Sequence, residues 1–194
     1  SLLNIDFHED GRYLFPGTGF IHEIGKGDAK GLKVNVPFPP ETGDQTYLKA
    51  FREIVPKMVE AFQPQIILMQ CGADSHFDDR LASLRLTTIC YEEMIDTVHS
   101  LAHKTCEGRM LLFGGGGYSL SSVARCWTLA FARLAEMQLS DKITEGWRKL
   151  FEKVSGEDAP RTLRDPEDKI GIEPTAYVEG LLKELRGAVP MLHA

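Results

Sequence analysis

Gln65-Ile66-Ile67-Leu68-Met69-Gln70-Cys71-Gly72-Ala73-Asp74, continued by Ser75-His76-Phe77-Asp78-Asp79-Arg80-Leu81, is the stretch whose reading decides the fold. Its first part is a short apolar run, expected as a strand over residues 65–70, and its second part is a polar loop. An acid released at the carboxyl end of a buried strand stands where open α/β sheets place ligands and catalytic groups. Asp74 then has two readings. It is a metal ligand, with Asp78 and Asp79 behind it or capping the turn, or it belongs to an Asp-rich loop whose carboxylates only cap turns. His76 completes a D-x-H spacing that can serve zinc, or it is an exposed loop histidine.

Working outward, strand and helix patterns alternate. Leu2–Phe7 and Leu32–Val36 read as buried strands, the second closed by Pro37 and the Pro39-Pro40 pair. Asp44 is positioned to cap a helix carrying Tyr47, Phe51, Ile54, Val55, Met58, Val59 and Phe62, which Pro56 is expected to kink or shorten. Thr87 or Thr88 opens a helix with Tyr91, Met94, Ile95, Val98 and Ala102 on one face, ending near Gly108. Arg109–Phe113 is a fourth strand. Leu120, Val123, Ala124, Trp127, Ala130, Phe131 and Leu134 form a wide apolar stripe on the next helix. This alternation implies an α/β fold with a mostly parallel sheet flanked by helices. After Ser140 the pattern changes to an amphipathic helix (Ile143, Trp147, Leu150, Phe151, Val154), a charged connection at Ala159–Pro174 and a last helix at Ala176–Arg186. The division expected is 1–140 as one body and 141–194 as a helical extension packed on it.

Composition narrows the function classes. The chain has 194 residues, 43% hydrophobic and 26% charged, with a net charge of -6. That acidic balance, without a Lys/Arg cluster, argues against direct nucleic-acid binding. No run approaches the ~18 apolar residues of a membrane span, and no signal peptide is visible. Cys71, Cys90, Cys106 and Cys126 show no C-x-x-C spacing; three lie in or beside apolar segments. Buried thiols in a reducing, cytoplasmic compartment are expected rather than disulfides or a thiolate zinc site. Ser1 in place of Met, with an apolar run directly behind it, is expected of a cut or processed start.

Three special loops follow three of the strands: His8 with Phe15-Pro16-Gly17-Thr18-Gly19, the Asp74 loop, and Gly114-Gly115-Gly116-Gly117-Tyr118. A parallel sheet delivers all three to one edge. The glycine run permits close backbone approach to a ligand and suits an anion before a helix, although no Lys or Ser/Thr pair makes it a nucleotide loop. Tyr118 is either a hydroxyl donor to a developing oxyanion or a packing tyrosine. His8, His99 and His103 read as structural or surface histidines and Cys126-Trp127 as core, while Arg125 either holds neighbouring carbonyls or carboxylates or is a solvated arginine.

Together F-H-E-D-G-R-Y-L-F-P-G-T-G (Phe7–Gly19), V-N-V-P (Val34–Pro37), Q-C-G-A-D-S-H-F-D-D-R-L (Gln70–Leu81), F-G-G-G-G-Y (Phe113–Tyr118) and A-R-C-W (Ala124–Trp127) resemble the zinc-dependent histone deacetylase family, in particular its acetoin-utilisation prokaryotic branch. The resemblance implies an arginase/deacetylase-type fold. It implies that Asp74 is one of three zinc ligands and that Tyr118 polarises the substrate carbonyl. Phe15, Leu81 and Gly116 match the wall of the acyl-lysine tunnel. Phe7 and His8 match the surroundings of a structural monovalent cation, K+, although Asp6 replaces the usual small hydroxyl residue.

The family's other two zinc ligands, in D-x-H-H-G-D-G, and its paired general-base histidines lie upstream of the first strand here. The expectation is therefore the C-terminal part of a deacetylase acting on acetylated lysine or a small acetylated amine, inactive alone. Two alternatives are a naturally short non-catalytic assembly module, self-associating through an exposed sheet edge, and an acetylpolyamine amidohydrolase.

Overall fold

The computed structural model describes residues 1–166 and 171–193. Strand β1 (Asn4–Glu9) pairs in parallel with β2 (Lys33–Phe38), from Asn4 opposite Lys33 to Glu9 opposite Phe38. Strand β3 (Ile67–Gln70) pairs in parallel with β4 (Met110–Phe113), from Ile67 opposite Met110 to Gln70 opposite Phe113. The parallel direction matches the sequence reading. Among the described residues, however, the strands pair two by two and do not join into one sheet. Strand β2 also runs through Pro37, the residue expected to close it.

Helix α1 (Asp44–Phe62) connects the two pairs. It passes through Pro56 without interruption, and Gly43, not Asp44, is its cap. The Asp44 carboxylate instead accepts from the Thr87 amide at 2.8 Å and the Thr87 hydroxyl at 2.6 Å. The free amides of the first turn go to a distant acid: Glu173 accepts from Gln45 N at 3.3 Å and Thr46 N at 2.6 Å, which also suits the positive helix end. Helix α2 (Thr88–Cys106) is capped by the Thr87 hydroxyl, which accepts from Ile89 N. Ser119 caps α3 (Leu120–Leu134) by accepting from Ser122 N. Helices α4 (Glu145–Ser155) and α5 (Thr175–Ala188) complete the chain with a short terminal turn at Pro190–His193.

The core gathers Val34, Val36 and Phe38 of β2, Ile54 and Met58 of α1, Ile95 of α2 and Leu185 of α5, all fully buried. Four buried, unpaired thiols agree with the cysteine reading. Burial pushes Cys71 up to about 11, so it is inert as a nucleophile. No helix among the described residues is long and apolar enough to cross a membrane.

The apolar stripe expected on α3 reaches the core only in part: Ala130 is buried there, and Val123 and Leu134 pack against it. Helix α3 packs on α2 and buries Ser121, Ser122, Arg125, Cys126, Leu129, Ala130 and Ala132, whereas Leu120 and Phe131 are 62% and 67% exposed. Alternate residues of β3 and β4 behave likewise: Leu68, Leu111 and Phe113 are at least half exposed. One face of this strand pair and one stripe of α3 are therefore open and apolar.

Candidate active site

The loops after β3 and β4 are laced together. Cys71 N donates to Phe113 O (2.9 Å), Ala73 N to Gly116 O (2.6 Å), and Trp127 Nε1 to Cys71 O (2.8 Å). Trp127, read from sequence as core, is about one-third exposed. These bonds bring the glycine run against Asp74 with no space between them. A Cβ placed on Gly116 would lie 2.3 Å from Asp74 Oδ2, and one on Gly115 would lie 2.8 Å from Gly72 Cα. Glycine is required here because backbone lies directly on a carboxylate and on backbone. Asp74 is partly buried, and this burial, with Asp79 adding to it, raises its carboxyl above the ordinary value.

Asp78 and Asp79 combine turn capping with positioning. Asp79 Oδ1 accepts from Leu81 N (2.9 Å) and Ala82 N (3.2 Å), while its Oδ2 accepts from Tyr118 N (2.7 Å). The Ser119 hydroxyl donates to Asp78 Oδ2 at 3.1 Å. One acidic turn thus fixes the backbone of Leu81 on one side and of Tyr118 on the other. The side chains of both stay free: Leu81 is 60% exposed and Tyr118 54%. Among the described residues the Tyr118 side chain is thus half exposed and not packed into the core. The end of β1 joins the same region, since Ser83 N donates to Glu9 Oε2 at 2.6 Å.

His76 corrects the sequence reading: it is completely buried. Its Nε2 lies 2.8 Å from Asp165 Oδ2, and Nδ1 accepts from Asp78 N at 3.1 Å. An accepting Nδ1 places the ring proton on Nε2, which donates to Asp165. Neither nitrogen is left for a metal beside Asp74. Arg125 takes the carboxylate-holding reading of its two. It is 5% exposed rather than solvated, and its Nη1 meets Asp165 Oδ1 at 2.5 Å. Burial alone would raise Asp165, but the His76 hydrogen bond and the Arg125 charge outweigh it and hold the carboxyl well below the usual range.

Phe15 is 93% exposed on the loop after β1, which His8 holds back through Nε2 against Gly19 O at 3.0 Å. His8 Nδ1 stands 3.3 Å from Asp6 Oδ1. Burial pulls the His8 imidazolium down, but Asp6 and Gly19 O more than offset it, leaving the pKa raised. The Phe7 ring packs against Phe38, Tyr47 and Phe51. The side chains of Phe7 and His8 thus both have partners within the chain. His99 and His103 sit on the outer part of α2 with their Nε2 atoms 3.0 Å apart, as a surface pair.

Asp74, a partly buried carboxylate against a glycine backbone, suits one corner of a metal site. A catalytic zinc takes about three protein ligands, and among the described residues no cluster of three or more His, Cys, Asp or Glu can hold a metal ion. The residues present fit a share of a zinc site and not a whole one. Sequence reasoning missed Asp165 and Glu173. Both lie in the charged connection after residue 140, where a single acid has no periodic or motif signal.

Comparison with known proteins agrees with this geometry. The histone deacetylase domain family matches residues 1–134. The chain is 36% identical to acetoin utilization protein AcuC of Bacillus subtilis over 169 residues, covering 87% of this chain and 44% of AcuC. It is 38% identical to histone deacetylase 9 of Arabidopsis thaliana over 74% of this chain and 33% of that protein. The crystal structure of an HDAC homologue complexed with SAHA superimposes with a TM-score of 0.81 at 28% identity, covering 94% of this chain and 50% of that one. An HDAC homologue from Aquifex aeolicus gives a TM-score of 0.77, also at 28% identity and with the same coverage. The chain thus spans half or less of the length of these relatives, and its α/β fold is that of the deacetylases. The aspartate loop and the glycine run that lie on each other both fall within the matched residues, and the chain belongs to the histone deacetylase domain family.

Proposed function

We propose that this chain forms the carboxyl-terminal part of a zinc-dependent deacetylase site that hydrolyses the amide of an acetylated lysine or a small acetylated amine. The observation that carries the reading is the Asp74 carboxylate lying directly against a glycine run that ends in a half-exposed tyrosine. When bound, zinc would polarise the amide carbonyl and activate a water molecule. Asp74 is assigned as one of its ligands.

Tyr118 is assigned the hydrogen bond to the carbonyl oxygen as charge develops there. Asp79 fixes its main chain while its side chain keeps the freedom to reach the substrate. Leu81 and Phe15, exposed apolar side chains, suit the methylenes of a lysine. Gly116 suits a narrow wall, since any side chain there would displace Asp74. A structural K+ is assigned only to the main chain around Phe7 and His8, whose side chains have other partners.

Because Asp74 is the only assigned ligand, the chain alone is expected to bind zinc weakly and to be inactive. The test is hydrolysis of an acetyl-lysine peptide by this chain joined to the family's upstream ligand-bearing segment. Loss of turnover in Asp74→Ala and Tyr118→Phe supports the reading, and turnover indifferent to both refutes it. A second reading, a non-catalytic assembly module, is favoured by the open face of Leu68, Leu111, Phe113 and Phe131. In the lead reading that face takes the other half of the domain.

A further inference from the structure

We propose that Asp165 is a positioning residue for the Asp74–Tyr118 site, an inference that rests on the deacetylase reading above. Asp165 lies outside the residues 1–134 matched by the family, yet its buried carboxylate touches both halves of the site's support. Oδ2 accepts from His76 Nε2 (2.8 Å) and from Thr88 N (3.0 Å); Oδ1 meets Arg125 Nη1 (2.5 Å). Its own amide donates to the Thr88 hydroxyl at 2.8 Å. Every partner is buried, so water cannot replace any of these bonds without opening the packing.

The two side chains it holds are the ones that set the two loops. His76 follows Asp74 by two residues, and its peptide organises the turn: His76 N donates to Ala73 O and Asp79 N to His76 O. Arg125 sits in the second turn of α3, whose cap, Ser119, directly follows Tyr118. One carboxylate therefore fixes the aspartate loop and the helix behind the tyrosine relative to each other. Asp78 and Asp79 close the same pair of loops from the other side through Ser119 and Tyr118 N. Without Asp165, His76 loses its acceptor. The Arg125 guanidinium, whose Nε has no partner among the described residues, would be a buried charge without a counter-ion. The carboxyl-terminal segment thus enters the site by orienting it, with no atom of its own at the substrate.

The test uses Asp165→Asn, which keeps shape and removes charge, in two settings. In the 194-residue chain, amide resonances are expected to shift at Asp74 and Tyr118 as well as around His76 and Arg125, and the His76 Nε2 proton is expected to lose its strongly hydrogen-bonded position. In the chain joined to the upstream ligand-bearing segment, kcat per folded molecule is expected to fall by about 10- to 100-fold, with KM little changed. Resonance shifts confined to residues touching Asp165, with wild-type kcat per folded molecule, would overturn the proposal. If Asp165→Asn does not fold, Thr88→Val, which removes only one peripheral bond, decides by the same resonances. If the wild-type joined protein does not deacetylate at all, the deacetylase reading fails, and the resonances at Asp74 and Tyr118 still decide whether Asp165 positions them.

Discussion

Gly116 leaves no room for a side chain, since a Cβ would stand 2.3 Å from Asp74 Oδ2. Gly116→Ala must therefore move either the carboxylate or the glycine backbone. A displacement approaching 1 Å typically costs about a hundredfold in rate, so kcat of the ligand-complete protein is expected to fall by about that factor, as measured by peptide deacetylation. Tyr118→Phe removes the proposed oxyanion donor and is expected to cost ~3–4 kcal/mol, again in kcat.

Asp165 makes a pH prediction. Its folded pKa is depressed below the unfolded value of ~3.9. Its contribution to stability is thus fully present above that value and is lost as pH falls through the folded one. Thermal unfolding followed from neutral pH to about pH 2 should show the onset of this acid loss below about pH 4 in the wild type. Asp165→Asn should start less stable and lose less.

At this scale the Asp74 loop, the glycine run and Tyr118 were legible in the sequence because their chemistry is local, with special residues adjacent in the chain. Asp165 was not, because its partners His76, Thr88 and Arg125 lie 89, 77 and 40 residues away. The burial of His76 and Arg125 was illegible for the same reason.

Among the described elements, periodicity found the five α-helices and the four strands to within a few residues, since each carries its own apolar pattern, but not the short turns of helix at Gly27–Ala29 and Pro190–His193. It did not say which side of α3 is covered. The stripe through Leu120 and Phe131 is more apolar than the Ser121–Ser122–Arg125 side, yet the latter is the buried one, where Arg125 meets Asp165 of the connection after α4. Pro56 likewise fits inside α1 although it lacks an N–H to give.

Helix α5 shares the core of α1 through Val178, Leu181, Leu182 and Leu185. Leu185→Ala at a fully buried position is expected to cost about 2–5 kcal/mol in chemical denaturation. The open side of β3, β4 and α3 predicts the opposite behaviour. Leu111→Ser with Phe113→Ser should reduce self-association of the isolated chain in sedimentation while leaving its folding cooperative.

For the molecule as a whole, the fold type followed from the alternation of strands and helices, but the splitting of the strands into two pairs did not. A strand pattern does not reveal whether its lateral neighbour is present. The chain spans 44% of AcuC and 50% of the solved HDAC homologue, and its open apolar face suits the packing of a further part of such a domain. In the proposed reading one carboxylate ligand and one oxyanion donor are assigned, and among the described residues no cluster of three or more His, Cys, Asp or Glu can hold a metal ion.

The most direct test measures zinc-dependent deacetylation of an acetyl-lysine peptide by the 194-residue chain and by the same chain joined to the upstream ligand-bearing segment, each with and without Tyr118→Phe. The account predicts no turnover from the chain alone and Tyr118-dependent turnover from the joined form. Tyr118-dependent turnover by the chain alone, or joined-form turnover that ignores Tyr118, would contradict it.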